Sequence, residues 1–169
     1  MTTPALVHLH RPGAPRATAG HALLARQFRV VPVESGADAA AVVKAIDALG
    51  LDTFNLIATS DTAVVALAVA ALVPSRVPAL VLEAPPPLAA GACPETPTLV
   101  VVGTADAVVP PATERTYTER LPNAHLVFVY DAGHDVSADR PEAFAEVVID
   151  FLERREAFVI NRSQTVIHP

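Results

Sequence analysis

Apolar positions in this chain fall into short runs that alternate between two periodicities. Residues 5–9, 28–33, 54–58, 77–82, 98–102 and 125–130 are brief, nearly continuous apolar segments of strand length. Between them lie helical patterns at 21–26, 38–49, 61–72, 111–121 and 141–154. The second of these repeats apolar residues at Ala39, Val42, Val43, Ile46 and Leu49, with Asp38 placed as N-cap and Gly50 as C-cap. The third is apolar on nearly every face, which predicts a central, buried helix. Pro111 opens the fourth, where a missing N–H costs nothing. Strand–helix alternation of this kind predicts an α/β fold: a doubly wound, mostly parallel six-stranded sheet with helices on both faces.

Two stretches break the alternation. Residues 83–97 hold Pro85, Pro86, Pro87, Gly91, Pro94 and Pro97 without helical period. A parallel connection normally carries a helix, so an irregular crossover is expected there. The segment 156–169 has two small apolar clusters, Phe158-Val159-Ile160 and Val166-Ile167. Three readings of it stay open: an added strand, a packing arm that completes a homodimer, or a loose end. The expected organisation is one domain over 1–155 followed by this tail.

Composition narrows the class. A length of 169 residues, 51% of them hydrophobic, suits a single core that buries about 70% of the unfolded surface. The net charge of −6 is spread without a basic stripe, which argues against a nucleic-acid partner. The single cysteine, Cys93, forms no disulfide framework and is read as an incidental buried thiol in a reducing, cytoplasmic setting. The N-terminus shows no basic region ahead of its apolar run, so no signal peptide is expected. No apolar run approaches the ~20 residues that cross a bilayer. No phosphate-cradling glycine loop is present and no cofactor is expected. His8 and His10 alternate on one strand and are read as core or rim residues, since metal binding would need further ligands.

Three residues at predicted strand ends carry the candidate chemistry. Ser60 sits where the third strand turns into the third helix. Asp106 follows the fifth strand and His134 follows the sixth. Nucleophilic catalysis needs a hydroxyl, a base about 3 Å from it and an acid to orient the base. Loops at the carboxyl edge of a parallel sheet share one crevice, where such groups can meet. Taken singly, each has a plainer reading: Ser60 as a helix N-cap, Asp106 as a turn cap, His134 as an exposed loop residue. Glu83, at the fourth strand's end, is a second candidate for the acid.

The stretches 46–51 and 54–63, the run 97–106 on to Val108-Val109-Pro110, Leu121-Pro122-Asn123-Ala124, Ala132-Gly133-His134 and Arg140-Pro141-Glu142 together resemble the α/β-hydrolase fold family. The order Ser, acid, His is that family's order. The resemblance implies strand order 2-1-3-4-5-6 and a serine hydrolase acting on a small ester or thioester, with Ser60 as nucleophile, His134 as base and Asp106 as acid. It further implies an oxyanion donor at Asp61 N–H, with Arg11 at the rim. The family's lid and N-terminal hairpin are expected to be missing, which leaves an open crevice. Ala58 and Thr62 stand where the family's elbow has glycines, and a β-branched Thr62 is expected to crowd the neighbouring strand and widen the turn. Pro12 stands where the family draws a second oxyanion N–H, which proline lacks. The alternative implied by these departures is a catalytically impaired binding or assembly protein. Arg11 and Asp61, both replacing small or apolar family residues, are expected to pair across the crevice.

Overall fold

The computed structural model describes residues 3–14, 17–36, 38–91, 93–109, 111–158 and 166–167; of these, 111–114, 156 and 166–167 are described by backbone alone. The strands are β1 (Ala5–His10), β2 (Arg29–Glu34), β3 (Asn55–Thr59), β4 (Leu80–Glu83), β5 (Thr98–Gly103), β6 (Ala124–Val129) and a two-residue β7 (Val166–Ile167). They form one sheet in the order β2-β1-β3-β4-β5-β6-β7 with every pairing parallel. The six-stranded core has the expected order, and one part of the tail adds a short strand against Phe128 and Val129.

The helices are α1 (Ala19–Leu24), α2 (Ala39–Ala48), α3 (Thr62–Leu72), α4 (Pro111–Arg120), α5 (Val136–Asp139) and α6 (Pro141–Arg154). The two-residue alternation of each strand divides the core. Val7, Leu9, Leu56, Ala58, Leu80, Leu82, Val100 and Val102 point into one cluster with α2, α3 and Tyr117 of α4. Leu6, Ile57, Val81, Leu99 and Val101 point into the other, beneath α1 and α6. By the same alternation His8, His10, Thr59 and Glu83 share the α1/α6 face at the carboxyl ends of their strands. The register sets these ends side by side, Leu9 opposite Ala58 and Thr59 opposite Glu83.

Several expectations need correction. The helix α3 is not enclosed: Val64 and Leu72 on its outer side are about half exposed, at 50% and 54%. The strand β4 is four residues long, Leu80–Glu83, and residues 77–79, expected to begin it, lie between it and a 3₁₀ turn at Pro74–Arg76. The helix α5 has four residues, too few to leave a periodic signal. Cys93 is exposed, not buried; it lies in the irregular segment after β4, close enough to accept from Arg120 Nη2 at 3.7 Å. That segment is anchored to α4 instead of carrying a helix of its own: Tyr117 Oη donates to Pro86 O at 2.6 Å and Arg120 Nη1 to Leu88 O at 2.8 Å. Among the described residues no helix is long and apolar enough to cross a membrane.

Candidate active site

Ser60 is the pivot of the turn from β3 into α3. Its φ of 54° lies in the left-handed region, a conformation that costs a non-glycine residue about 1–3 kcal/mol. The turn is held by its neighbours. Ser60 N–H donates to Glu83 O at 2.8 Å and Ala63 N–H to Ser60 O at 3.1 Å. Thr62 does not pry the turn open. Its side chain is buried, and its hydroxyl accepts from Thr59 N–H at 3.0 Å while facing Thr59 O at 2.7 Å and Leu9 O at 3.3 Å. The branched side chain expected to crowd β1 is instead bonded to it. The strained dihedral falls on Ser60 itself, not on the flanking positions where glycines were looked for.

The loop after β6 brings His134 to the same place. Gly103 allows this, because a Cβ there would lie 2.1 Å from Ala132 O and 2.3 Å from Gly133 O. Ala105 N–H then donates to Ala132 O at 2.9 Å, and Gly133 N–H to Asp139 Oδ2 at 2.8 Å. Asp106 Oδ1 accepts from Val108 N–H at 2.7 Å and Val109 N–H at 3.1 Å, which leaves Oδ2 for the ring. His134 Nδ1 lies 2.9 Å from Asp106 Oδ2 and Nε2 lies 3.1 Å from Ser60 Oγ. With a carboxylate at Nδ1 the proton sits there, and the lone pair at Nε2 faces the serine hydroxyl. The Asp106 side chain is 1% exposed. Desolvation pushes its pKa up, but the hydrogen bonds from His134, Val108 and Val109 outweigh this and hold it below the ordinary value.

Glu83 does not face the imidazole as the acid. It is fully buried beneath the site, with Oε2 accepting from Thr59 Oγ1 at 2.9 Å and Oε1 from Ser137 N–H at 2.6 Å. Burial drives its pKa up, with Asp135 adding to the rise, and the bonds from Ser137 and Thr59 only partly offset it, so it stands at about 7. The carboxyl thus ties the strand before the serine to α5, the short helix after the histidine.

Arg11 and Asp61 meet across the rim, Nε to Oδ1 at 3.4 Å, with side chains 62% and 58% exposed. Such a pair is worth at most about 1 kcal/mol. Pro12 follows in an exposed turn. Among the described residues no backbone bond runs from Asp61 N–H, at the mouth of α3. A cavity of about 190 Å³ opens beside Ser60 and His134, walled by His8, His10, His21 and Thr18 on the α1/α6 side. His21 was not singled out by sequence; its helix was legible, but nothing in a lone histidine marked it as lining a cavity. Among the described residues no group of three His, Cys, Asp or Glu side chains is arranged to hold a metal ion.

A strained serine between β3 and α3, bonded to a histidine after β6 of a parallel 2-1-3-4-5-6 core, places the chain. It has the α/β-hydrolase fold. Residues 76–158 match the model of an α/β-hydrolase family described as TAP-like protein. Solved structures with this fold superpose over most of their length. An α/β hydrolase enzyme from the metagenome of sediments of the Mar Chica lagoon, Morocco, aligns with a TM-score of 0.76 and 19% identity, covering 89% of this chain and 92% of that one. Carboxylesterase CesB from Bacillus subtilis aligns at 0.71 and 16%, covering 89% and 84%. The thioesterase domain from the curacin biosynthetic pathway aligns at 0.67 and 14%, covering 87% and 91%. At these identities the likeness to the solved α/β-hydrolases is one of fold.

Proposed function

We propose that this α/β-hydrolase-fold chain is a serine hydrolase that cleaves small esters or thioesters through an acyl-enzyme. The observation that carries the reading is the continuous contact from Ser60 Oγ to His134 Nε2, 3.1 Å, and from His134 Nδ1 to Asp106 Oδ2, 2.9 Å. In this reading Ser60 Oγ attacks the carbonyl carbon while its proton passes to His134 Nε2. Asp106 holds the ring in register and stabilises the imidazolium. The uncommitted N–H of Asp61 receives the developing oxyanion, with Arg11 drawing the Asp61 carboxylate toward itself and offsetting its charge. The carbon–oxygen or carbon–sulfur bond then breaks, and His134 returns the proton to the leaving group. Water, activated by the same histidine, attacks the acyl-serine and regenerates the hydroxyl. A cavity of about 190 Å³ is below the ~300 Å³ at which drug-sized ligand pockets begin, which favours small acyl groups. The carboxylesterase and thioesterase among the structural neighbours fit the same class.

The second reading, a binding or assembly protein on an idle scaffold, draws on Pro12, which offers no second oxyanion N–H. One experiment divides the two. A fluorophosphonate probe should label the wild-type chain and fail to label Ser60→Ala, with turnover of p-nitrophenyl butyrate lost in parallel. A folded wild-type protein that neither takes the probe nor turns over the ester defeats the hydrolase reading and leaves the binding one.

A further inference from the structure

Glu83 is a buried acid beneath the site that takes no part in the chemistry above, yet it grips both sides of the triad. Its backbone O accepts from Ser60 N–H at 2.8 Å. Its Oε2 accepts from Thr59 Oγ1, on the residue before the serine, at 2.9 Å. Its Oε1 accepts from Ser137 N–H, in α5 just after His134, at 2.6 Å. The strand end itself is fixed. Ala84 follows in the left-handed region at φ 43°, and its N–H donates to Val101 O at 2.8 Å.

The turn that carries His134 is braced as a unit. Gly133 N–H donates to Asp139 Oδ2 at 2.8 Å, Ser137 Oγ donates to Asp135 Oδ1 at 3.2 Å, and Asp139 N–H donates to Asp135 O at 2.9 Å. Among the described residues, the bond from Ser137 N–H to Glu83 is the only hydrogen bond from this unit to β3 or β4. A shift of Ser137 away from Glu83 therefore carries His134 away from Ser60, which it meets at 3.1 Å.

The neutral acid keeps every contact, since its O–H can donate to Thr59 Oγ1 while its carbonyl oxygen accepts from Ser137 N–H. The carboxylate accepts from both, but it is fully buried, and burial is the largest cause of a pKa of about 7. Two hydrogen bonds do not replace the water it has lost. Its titratable neighbours give no relief. Asp135, ahead of α5, adds to the rise. Asp106, beyond β5, is bonded to His134, and Asp139 of α5 to Gly133. On β1, His10 follows the Leu9–Ala58 pair and so flanks Thr59, with β3 between it and Glu83. His8 and His21 stack on each other along the cavity wall. Among the described residues no arginine, lysine or histidine forms an ion pair with Glu83. Relief on ionisation comes from water, which enters where α5 draws away.

We propose that Glu83 is a positioning residue for hydrolysis: as a neutral acid it clamps the strand end before Ser60 to the turn after His134, and as a carboxylate it lets that turn go, so that alkaline pH switches the site off. The role rests on the hydrolase reading above, while the clamp rests on the bonds alone.

The assay is turnover of p-nitrophenyl butyrate by the whole chain, well below the melting temperature of each variant at each pH. At pH 6, Glu83→Leu should lose about 100-fold in kcat, the cost of roughly 1 Å of misplacement, with KM within about threefold of wild type. Glu83→Gln, which keeps both contacts, should rescue most of that kcat. Between pH 6.5 and 8.5 the wild-type kcat should fall by about tenfold relative to Glu83→Gln, because each pH step of one above the folded value cuts the neutral fraction by up to about tenfold. His134 titrates in both proteins and cancels in the ratio. Hydrogen exchange of residues 133–139, corrected for its intrinsic rate, reads the clamp without turnover. It should quicken over the same pH range in wild type and not in Glu83→Gln. A wild-type chain that hydrolyses nothing yet shows this exchange difference defeats the hydrolase reading alone. Melting curves establish folding, and if Glu83→Leu does not fold the two comparisons with Glu83→Gln decide by themselves. A kcat in folded Glu83→Leu within about threefold of wild type, a loss of about 100-fold in Glu83→Gln at pH 6, or a ratio of wild type to Glu83→Gln that ignores pH each overturns the positioning role.

Discussion

Replacing Glu83 by glutamine should change how stability depends on pH, and the size of the change follows from its surroundings. The carboxyl is fully buried, and its oxygens are already committed to Thr59 Oγ1 and Ser137 N–H. Desolvation raises its pKa from the ordinary 4.5 to about 7. Between these values the folded protein keeps a proton that the unfolded chain has released. Raising the pH therefore favours the unfolded state throughout the window, and the loss is complete once the pH passes the folded value. Each pH step of one is worth about 1.4 kcal/mol, so the native state gives up about 3 kcal/mol from this group. For a chain of this size about 1 kcal/mol moves Tm by about 2–4 °C, which makes the effect about 10 °C. Glutamine keeps the geometry, with Oε1 accepting from Ser137 and Nε2 donating to Thr59, but has nothing to ionise. Thermal melts of both proteins from pH 4.5 to 8.5 check this through the difference in Tm, which cancels groups titrating in both. Wild type should lose ground to Glu83→Gln steadily up to about pH 7 and then run parallel to it. A constant difference, or wild type gaining on the variant with rising pH, refutes the argument, the second by showing that Glu83 is held ionised in the native state.

Three further outcomes follow from the site. Asp106→Asn places an amide against His134 Nδ1 and favours the wrong tautomer; kcat/KM on p-nitrophenyl butyrate should fall by about 10³–10⁴-fold, and a loss under tenfold would remove Asp106 from the relay. Ser60 holds φ at 54°, so Ser60→Gly should unfold at about 1 kcal/mol higher free energy in urea than Ser60→Ala, with neither variant labelled by fluorophosphonate; equal unfolding free energies would mean the turn is unstrained. Thr62→Val leaves Thr59 N–H without the acceptor it has at 3.0 Å and should cost about 1–3 kcal/mol, read as a lower urea midpoint; an unchanged midpoint would show that the hydroxyl does not hold the elbow.

Periodicity along the chain determined the fold. Residues 98–102 were readable as a strand because a buried parallel strand is apolar almost throughout, residues 28–33 and 125–130 because β-branched and aromatic residues dominate them although β2 and β6 are only partly buried, and α6 because Val147, Val148 and Phe151 recur on one side while its other face is charged. Asp38 as N-cap was legible because capping is local chemistry, and its carboxylate does accept from Ala41 N–H at 2.8 Å. The positions of Ser60, Asp106 and His134 at strand ends were legible for the same reason: in a parallel sheet all such ends lie on one edge. What the chain alone left open were interactions between residues distant in sequence. Whether Thr62 strains the elbow or supports it depended on Leu9 O and Thr59 O lying within reach of one hydroxyl. Glu83 read as a spare acid until folding enclosed it between Thr59 and Ser137, because desolvation belongs to the assembled core and not to a residue type. His21 read as an unremarkable helical position. Only the packing of the folded chain set its ring against His8, with Nε2 buried and without a hydrogen-bond partner among the described residues. Local patterns set which elements form, since they act over a few bonds; burial, tautomer and pKa are set by neighbours that the chain brings together only when it closes.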